Sequence, residues 1–202
     1  FHNSDISFDQ NHYKKILKFR PRKCFSQNMI INKKNFYNLP IGVENFNYYS
    51  DSVDINDLFK TKIFFNNKNN AIIYGFNSTH KIRKKFLNYL SGNDLCHYTN
   101  GWNKKIYWQI VSKYKFIFCP RGNGYDTHRI WEAMYLKTIP ILIRDKFNSF
   151  YEKNNFPVFI LDKIEHLDNI NEIKLKNIYK KIYKKFANKK LFFSYWKNLI
   201  IK

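Results

Sequence analysis

Four short apolar runs that alternate with helical patterns constrain the fold of this chain more than any other feature. Apolar residues recur at helical spacing after each run, and runs of this length predict strands that are buried on both faces of a sheet. The predicted strands are Asn70–Phe76, Lys115–Cys119, Thr138–Ile143 and Pro157–Leu161. The predicted helices are Thr79–Leu90, Asn103–Tyr114, Thr127–Lys137 and Asp145–Lys153. This alternation predicts an α/β fold, a Rossmann-like parallel sheet with helices on both faces.

The rest of the chain is less regular, and its composition suggests three parts. Residues 1–64 carry a predicted helix near Tyr13–Lys18, a turn or linker at Asn38–Asn45 and a short helix near Ile55–Lys60. Residues 65–165 hold the predicted sheet. Residues 166–202 are predicted to form basic helices.

The chain is strongly basic, and its net charge limits the classes of partner. It has 202 residues, a formal net charge of +21, and 19% aromatic residues. Such a charge favours polyanions, anionic lipids or phosphorylated substrates, although a general enrichment in lysine would produce the same value. The lysines of 178–190 are interpreted as a solvated face, with peripheral contact to an anionic membrane as the alternative.

Other features of composition bear on location and metal binding. Three cysteines without a CxxC pair predict a reduced, cytoplasmic protein, and no apolar run is long enough to span a bilayer. Because the chain begins at Phe1 within an apparently ordered segment, we expect it to be a fragment. No Cys/His spacing is typical of zinc, and Asp51 and Asp54 lack the spacing of a DxD metal site, so no metal and no cofactor are predicted.

The loop between the second predicted strand and its helix is the strongest candidate site. Ligands of parallel sheets bind beyond the carboxyl ends of the strands. Gly122 and Gly124 would allow close approach to the backbone, and Asp126 or Thr127 is expected to cap the following helix. A glycine loop before a helix N-terminus attracts phosphate. The sequence fits neither the GxGxxG fingerprint nor a P-loop.

Arg129 and Glu132 lie three residues apart on this helix and therefore share a face. Arg129 in the first turn could pair with phosphate and act in catalysis, and Glu132 could accept the hydroxyls of a ribose. An ordinary surface salt bridge between the two is the alternative.

Several further residues are weaker candidates. The turn after the first predicted strand could contact a diphosphate, or could be a plain helix cap with a solvated arginine; it holds Asn77, Ser78, Thr79 and Arg83. His128 could orient a phosphate or a sugar hydroxyl, or be a structural histidine. Asp5 could be the base for an acceptor hydroxyl, and a catalytic Glu44 is less favoured than a hinge at this linker.

The stretch "CPRGNGYDTHRIWEAMYLKTIPIL" resembles a signature of exostosin-like glycosyltransferases, which have the GT-B fold. The close match covers about 24 residues, and weaker similarity extends to "HNSD", "LPIGVEN" and "PVFILD". The resemblance implies that residues from about 65 onward form the nucleotide-sugar-binding C-terminal half, and that the segment before them is a remnant of the acceptor-side domain. It places Arg121, Gly122, Asn123, Gly124, Tyr125, Asp126, Thr127, His128, Arg129 and Glu132 in the donor site. Lys137 departs from the family pattern, which has glycine there.

The resemblance implies a metal-independent glycosyltransferase that moves a sugar from a nucleoside-diphosphate sugar to a glycan or another hydroxyl acceptor. Two alternatives remain. The charge and the aromatic content would suit a nucleic-acid-binding module, which is the less favoured because no helix-turn-helix, RNP or zinc signature is present. The chain could also be an inactive remnant that still binds nucleotide.

Overall fold

The computed structural model describes residues 5–44, 54–64, 67–99 and 103–201. The N-terminal segment contains helix α1 (Gln10–Leu17) and two short parallel strands, β1 (Cys24–Ser26) and β2 (Phe36–Asn38). Helix α2 (Ile55–Lys60) lies where the sequence predicted a helix and begins with a capping box. Strands β1 and β2 were not predicted, because neither forms an apolar run.

A five-stranded, wholly parallel sheet forms the centre of the molecule, which confirms the predicted α/β class. Its strands in chain order are β3 (Asn69–Tyr74), β4 (Cys96–Tyr98), β5 (Tyr114–Phe118), β6 (Ile139–Ile143) and β7 (Phe159–Leu161). The four predicted strands correspond to β3, β5, β6 and β7. The fifth strand, β4, pairs with β3 at one edge of the sheet and was missed.

Helices connect and flank these strands. They are α3 (Lys81–Leu90), α4 (Lys104–Val111), α5 (His128–Tyr135), α6 (Asn148–Lys153), α7 (Glu172–Tyr183) and α8 (Phe193–Ile201), with short 3₁₀ turns at Ile164–Asn169, Lys184–Ala187 and Lys189–Leu191. Among the described residues, no helix combines the length and the apolar character that crossing a bilayer would require.

Core side chains lie on both faces of the sheet. Phe118 packs edge-on against Phe86 of α3 at 5.3 Å between ring centroids, and Phe116 packs against Tyr179 of α7 at 5.9 Å. Successive strand residues point to opposite faces, so Ile117 faces the other layer. Because crossovers between parallel strands are right-handed, α4 and α5 are expected on that second face.

The strand order determines where a ligand site is expected. The order across the sheet is β4-β3-β5-β6-β7, so the chain moves to one side from β3 to β4 and to the other side from β5 onward. The switch point is between β3 and β5, and doubly wound sheets bind ligands at the carboxyl ends of the strands there. The loops after β3 and β5 are the ones that hold the candidate residues.

Two predicted helix caps differ from the structure. Helix α3 begins after His80, whose ring nitrogen accepts from the backbone N–H of Ile82, so a cap at Ser78 or Thr79 was wrong. Thr127 is the N-cap residue of α5, but its side chain makes no capping hydrogen bond. The Asp126 carboxylate does not cap this helix either, because protein groups elsewhere bind it.

Candidate functional site

The glycine loop after β5 packs tightly against side chains from distant parts of the chain. A Cβ atom on Gly122 would lie 3.2 Å from Arg83 Nη2, and one on Gly124 would lie 3.0 Å from Asn28 Nδ2 and 3.1 Å from Asp5 Oδ1. Both glycines therefore permit the close approach that the sequence predicted, although here the approaching groups belong to the protein itself.

Arg83 of α3 joins the two loops at the switch point. Its guanidinium donates to the carbonyl oxygens of Arg121 at 2.9 Å and Pro120 at 3.4 Å in one loop. It also donates to the Asn77 carbonyl at 3.3 Å and to Thr79 Oγ1 at 3.1 Å in the other. Ser78, in the same turn, is exposed to solvent. The structure therefore brings the predicted turn after β3 together with the glycine loop.

Arg129 extends from the first turn of α5 to the end of β3. It donates to the Tyr107 hydroxyl at 3.0 Å and to the Gly75 carbonyl. Burial and the nearby Arg129 charge lower the pKa of Arg83 to about 10. Both guanidinium groups are still protonated at neutral pH, so two positive charges lie close together at the switch point.

Arg121 holds the glycine loop in shape. It donates to the carbonyl oxygens of Gly122 at 3.3 Å and Asn123 at 2.9 Å, and its guanidinium lies 3.8 Å from the centre of the Tyr125 ring. Within the described residues, none of the salt bridges involves Arg83, Arg121 or Arg129. Carbonyl and hydroxyl oxygens bind these side chains and leave their positive charge uncompensated by a direct ion pair.

Thr127 is an exception to the pairing of buried polar groups in this protein. Across the described parts of the chain, its Oγ1 is the one buried side-chain nitrogen or oxygen that lacks a hydrogen-bond partner. Leaving such a group without a partner costs about 1–3 kcal/mol. The hydroxyl lies at the N-terminus of α5, where unpaired backbone N–H groups and the helix dipole favour an anion. The site thus has spare hydrogen-bonding capacity where an anion is favoured.

Asp126 anchors the N-terminal segment to the loop. Its carboxylate accepts from the Ile41 backbone N–H at 2.8 Å, Trp131 Nε1 at 2.8 Å and the Tyr151 hydroxyl at 2.7 Å. Its own backbone N–H donates to Asn28 Oδ1 at 2.8 Å. Burial raises the pKa of Asp126 to about 6, although these hydrogen bonds oppose the increase. The carboxylate therefore faces protein groups and not the surface of the loop.

His128 makes a second connection to the N-terminal segment. Its Nδ1 lies 2.8 Å from the Gly42 carbonyl oxygen, and its Nε2 lies 3.1 Å from the Glu44 carboxylate. His128 and Asp126 together attach the linker predicted at Asn38–Asn45 to the start of α5; Asn45 itself lies outside the described residues. Asp5 also reaches the site, and its negative charge acts on Arg83.

Glu132 is almost completely buried, with 1% of its surface exposed. Lys104 Nζ donates to its two carboxylate oxygens at 3.0 and 3.1 Å, and Trp108 Nε1 donates to one of them at 3.1 Å. Burial acts to raise the pKa of Glu132, but Lys104 and these hydrogen bonds hold it below its usual value. Sequence reasoning missed Lys104, although its spacing of four residues from Trp108 puts both on one face of α4.

A cavity of about 60 Å³ lies beyond the ends of β5 and β6. Its polar lining residues include Arg121, Tyr125, Arg144, Asp145 and Asn148. This volume holds a few water molecules but not a nucleotide. A larger ligand would therefore occupy the open surface of the loop and the first turn of α5. No group of three or more potential metal ligands occurs among the described residues.

Comparisons with known proteins do not identify a family for this chain. Neither a scan against models of protein families nor a search of curated proteins finds a match.

Proposed function

We propose that this chain binds a nucleoside-diphosphate sugar at the junction of the glycine loop and α5, and that it is the donor half of a glycosyltransferase of the exostosin-like, GT-B type. One observation carries the proposal. Among the described residues, the buried Thr127 hydroxyl lacks a partner at a helix N-terminus, and no salt bridge involves the nearby Arg83, Arg121 or Arg129. A diphosphate would supply the missing acceptor oxygens and the opposite charge.

The proposed reaction breaks the bond between the sugar C1 and the diphosphate oxygen and forms a bond from C1 to the acceptor hydroxyl oxygen. Negative charge builds up on the leaving diphosphate. Arg129, Arg121 and the N-terminus of α5 would stabilise that charge, which is electrostatic catalysis by groups already in position. The acceptor hydroxyl loses its proton to a base, and Asp5 is our candidate because its carboxylate lies beside Gly124.

Recognition of the nucleoside is assigned to Glu132. In the proposal, its carboxylate accepts the ribose hydroxyls once Lys104 moves aside. The Lys104 side chain is 33% exposed and is the part of this ion pair nearest to solvent, so its displacement does not require α4 to unpack. The segment before β3 is proposed to be the part of the acceptor-side domain that attaches to the start of α5.

Calorimetric titrations with UDP, GDP, pyrophosphate and a duplex DNA at two salt concentrations test this function. We expect a nucleoside diphosphate to bind more tightly than pyrophosphate, because the ribose and the base add contacts. We expect the affinity for DNA to be weaker and to fall steeply with salt, as for a nonspecific basic surface. A panel of nucleotide sugars in a thermal-shift assay then identifies the donor.

The opposite pattern would contradict the proposal. If DNA binds tightly at 200 mM salt and no nucleotide raises the melting temperature, the chain is a nucleic-acid-binding module. If nucleotides bind but no sugar transfer or donor hydrolysis occurs, the chain is an inactive nucleotide-binding remnant.

A further inference from the structure

The C-terminal part of the chain carries a dense positive charge that is not balanced locally. Between Glu172 and Ile201 there are nine lysines and a single acidic residue. Lys181, Lys184 and Lys189 are exposed to solvent. This charge lies on α7, on the 3₁₀ turns that follow it and on α8.

Four of the lysines in this region of the fold line a cleft of about 320 Å³. They are Lys153, Lys184, Lys185 and Lys190, and Asn154, Asn155, Ala187 and Asn188 complete the lining. Within the described residues, no salt bridge involves any of these four lysines. The amide nitrogens of Asn154 and Asn188 donate to backbone carbonyl oxygens of the protein. What the cleft offers to phosphate is therefore its lysine ammonium groups.

Large apolar side chains are exposed around the start of α8, and Lys190 of the cleft contacts this helix, since its Nζ lies 5.7 Å from the centre of the Tyr195 ring. Phe192 is 57% exposed and Phe193 is 78% exposed. In the sequence they follow Lys189 and Lys190 after one intervening residue, Leu191. Ile200 is also exposed, and its spacing of seven residues from Phe193 puts both on one face of α8. We call these lysines and apolar residues the basic–aromatic surface.

The exposure of these side chains does not come from a loosely attached helix. Trp196 of α8 is buried, and its indole Nε1 donates to the Lys190 carbonyl at 2.7 Å. The Trp196 ring also packs against Phe150 of α6 at 6.1 Å between centroids. Because Trp196 holds α8 against the protein, Phe192 and Phe193 stay in solvent.

We propose that the basic–aromatic surface docks on an anionic lipid bilayer, with the lysine cleft on phosphate-bearing head groups and Phe192 and Phe193 inserted at the acyl boundary. Exposed aromatic side chains beside lysines are the combination that binds membrane interfaces. A single-stranded nucleic acid would use the lysines and could stack on phenylalanine. It would gain nothing from Ile200, which has no ring to stack on a base. This proposal is independent of the proposed nucleotide site.

Co-sedimentation with phosphatidylcholine vesicles, with and without 30% phosphatidylserine, tests the docking. Wild-type protein should bind the anionic vesicles and not the neutral ones. The triple variant Lys153→Gln/Lys184→Gln/Lys185→Gln, which removes three lysines of the cleft, should lose roughly a hundredfold in partitioning, which is the effect of three lysines near a charged surface. The matched control is Lys14→Gln/Lys15→Gln/Lys18→Gln near α1, which removes the same charge elsewhere and should change partitioning less than threefold.

Two further variants test insertion of the aromatic side chains. Phe192→Ser/Phe193→Ser should reduce partitioning at least tenfold with little change in the melting temperature, because both side chains are more than half exposed. In Phe193→Trp, brominated lipid should quench the added tryptophan emission when anionic vesicles are present.

Several results would overturn the proposal. Equal losses in the two triple variants would mean that only net charge matters. Unchanged partitioning of the serine double variant, or no quenching in Phe193→Trp, would rule out insertion. Conversion of a dimer to a monomer by the serine variant, with vesicle binding intact, would assign the surface to self-association. Tight binding of single-stranded DNA without vesicle binding would assign it to nucleic acid.

Discussion

Lys68 is a buried charged side chain away from the site, and neutral oxygen atoms bind its ammonium group. It is 4% exposed and lies just before β3. Its ammonium donates to the Leu136 carbonyl at 2.9 Å, the Thr138 hydroxyl at 3.0 Å and the Tyr114 carbonyl at 3.2 Å. Burial lowers the pKa of Lys68 to about 7. Protonated Lys68 therefore costs free energy in the folded state.

This lowered pKa predicts a specific pH dependence of stability. Between about pH 7 and pH 10 the unfolded chain holds the Lys68 proton more tightly than the folded chain. The free energy of unfolding should therefore rise with pH across that window, by at most about 1.4 kcal/mol per pH unit. Urea denaturation of wild type and Lys68→Met at several pH values isolates this contribution as the difference between their curves.

The exposed Lys113 provides the control for the Lys68 experiment. The free energy of unfolding of Lys113→Met should change with pH in the same way as that of wild type. If the free energy of unfolding of Lys68→Met shows the same pH dependence as that of wild type, Lys68 does not have a lowered pKa in the folded protein.

At the scale of single elements, helix α5 ends in a Schellman motif. The backbone N–H of Thr138 donates to the Ala133 carbonyl at 2.9 Å, and that of Lys137 donates to the Met134 carbonyl at 3.1 Å. Lys137 occupies the C′ position with φ of 56°, a left-handed conformation that favours glycine. The sequence resemblance expects glycine there, and the backbone geometry fits that expectation.

Replacing Lys137 should therefore reveal the strain of its backbone. A non-glycine residue in this conformation costs about 1–2 kcal/mol, partly offset by the greater entropy that glycine has in the unfolded chain. We expect Lys137→Gly to be about 0.5–1 kcal/mol more stable than Lys137→Ala. Both variants lose the contact of the lysine with the Phe186 ring, so their comparison in urea denaturation isolates the backbone. An alanine variant as stable as the glycine variant would contradict this account.

The sequence predicted elements well where burial produces a continuous apolar run. Strands β3, β5, β6 and β7 are such runs, and each begins and ends within two residues of its prediction. Strand β4 reads Cys-His-Tyr, lies at an edge and is partly exposed, so no apolar run marks it. The cap of α3 was misassigned because His80 acts as the acceptor, and histidine is not a usual capping residue.

At the scale of the whole molecule, the loops chosen from the sequence meet at the switch point of the sheet. Their meeting was predictable, because parallel strands bring their carboxyl ends to one edge. The hydrogen-bond partners of the individual side chains could not be predicted from the sequence. Asn28 binds the backbone of Asp126, and Lys104 binds Glu132. Such contacts depend on how distant segments pack, and no local pattern encodes them.

The central claim is that the start of α5 binds a diphosphate, and Thr127→Val tests it most directly. Valine removes the hydroxyl and keeps the β-branched shape. Because the hydroxyl lacks a partner in the free protein, the free energy of unfolding should stay the same or rise by about 1 kcal/mol. Affinity for UDP or GDP, whichever binds wild type, and for pyrophosphate should fall about tenfold, the scale of one lost hydrogen bond.

The control is Thr61→Val at the C-cap of α2, where the Thr61 hydroxyl already donates to the Asp57 carbonyl at 2.8 Å. It should lose stability and retain wild-type affinity. A calorimetric titration of Thr127→Val with the nucleoside diphosphate is therefore the most direct test of the proposed diphosphate site. A stable protein with tenfold weaker binding is the predicted result, and unchanged affinity, or stability and affinity lost together, would contradict a diphosphate site at Thr127.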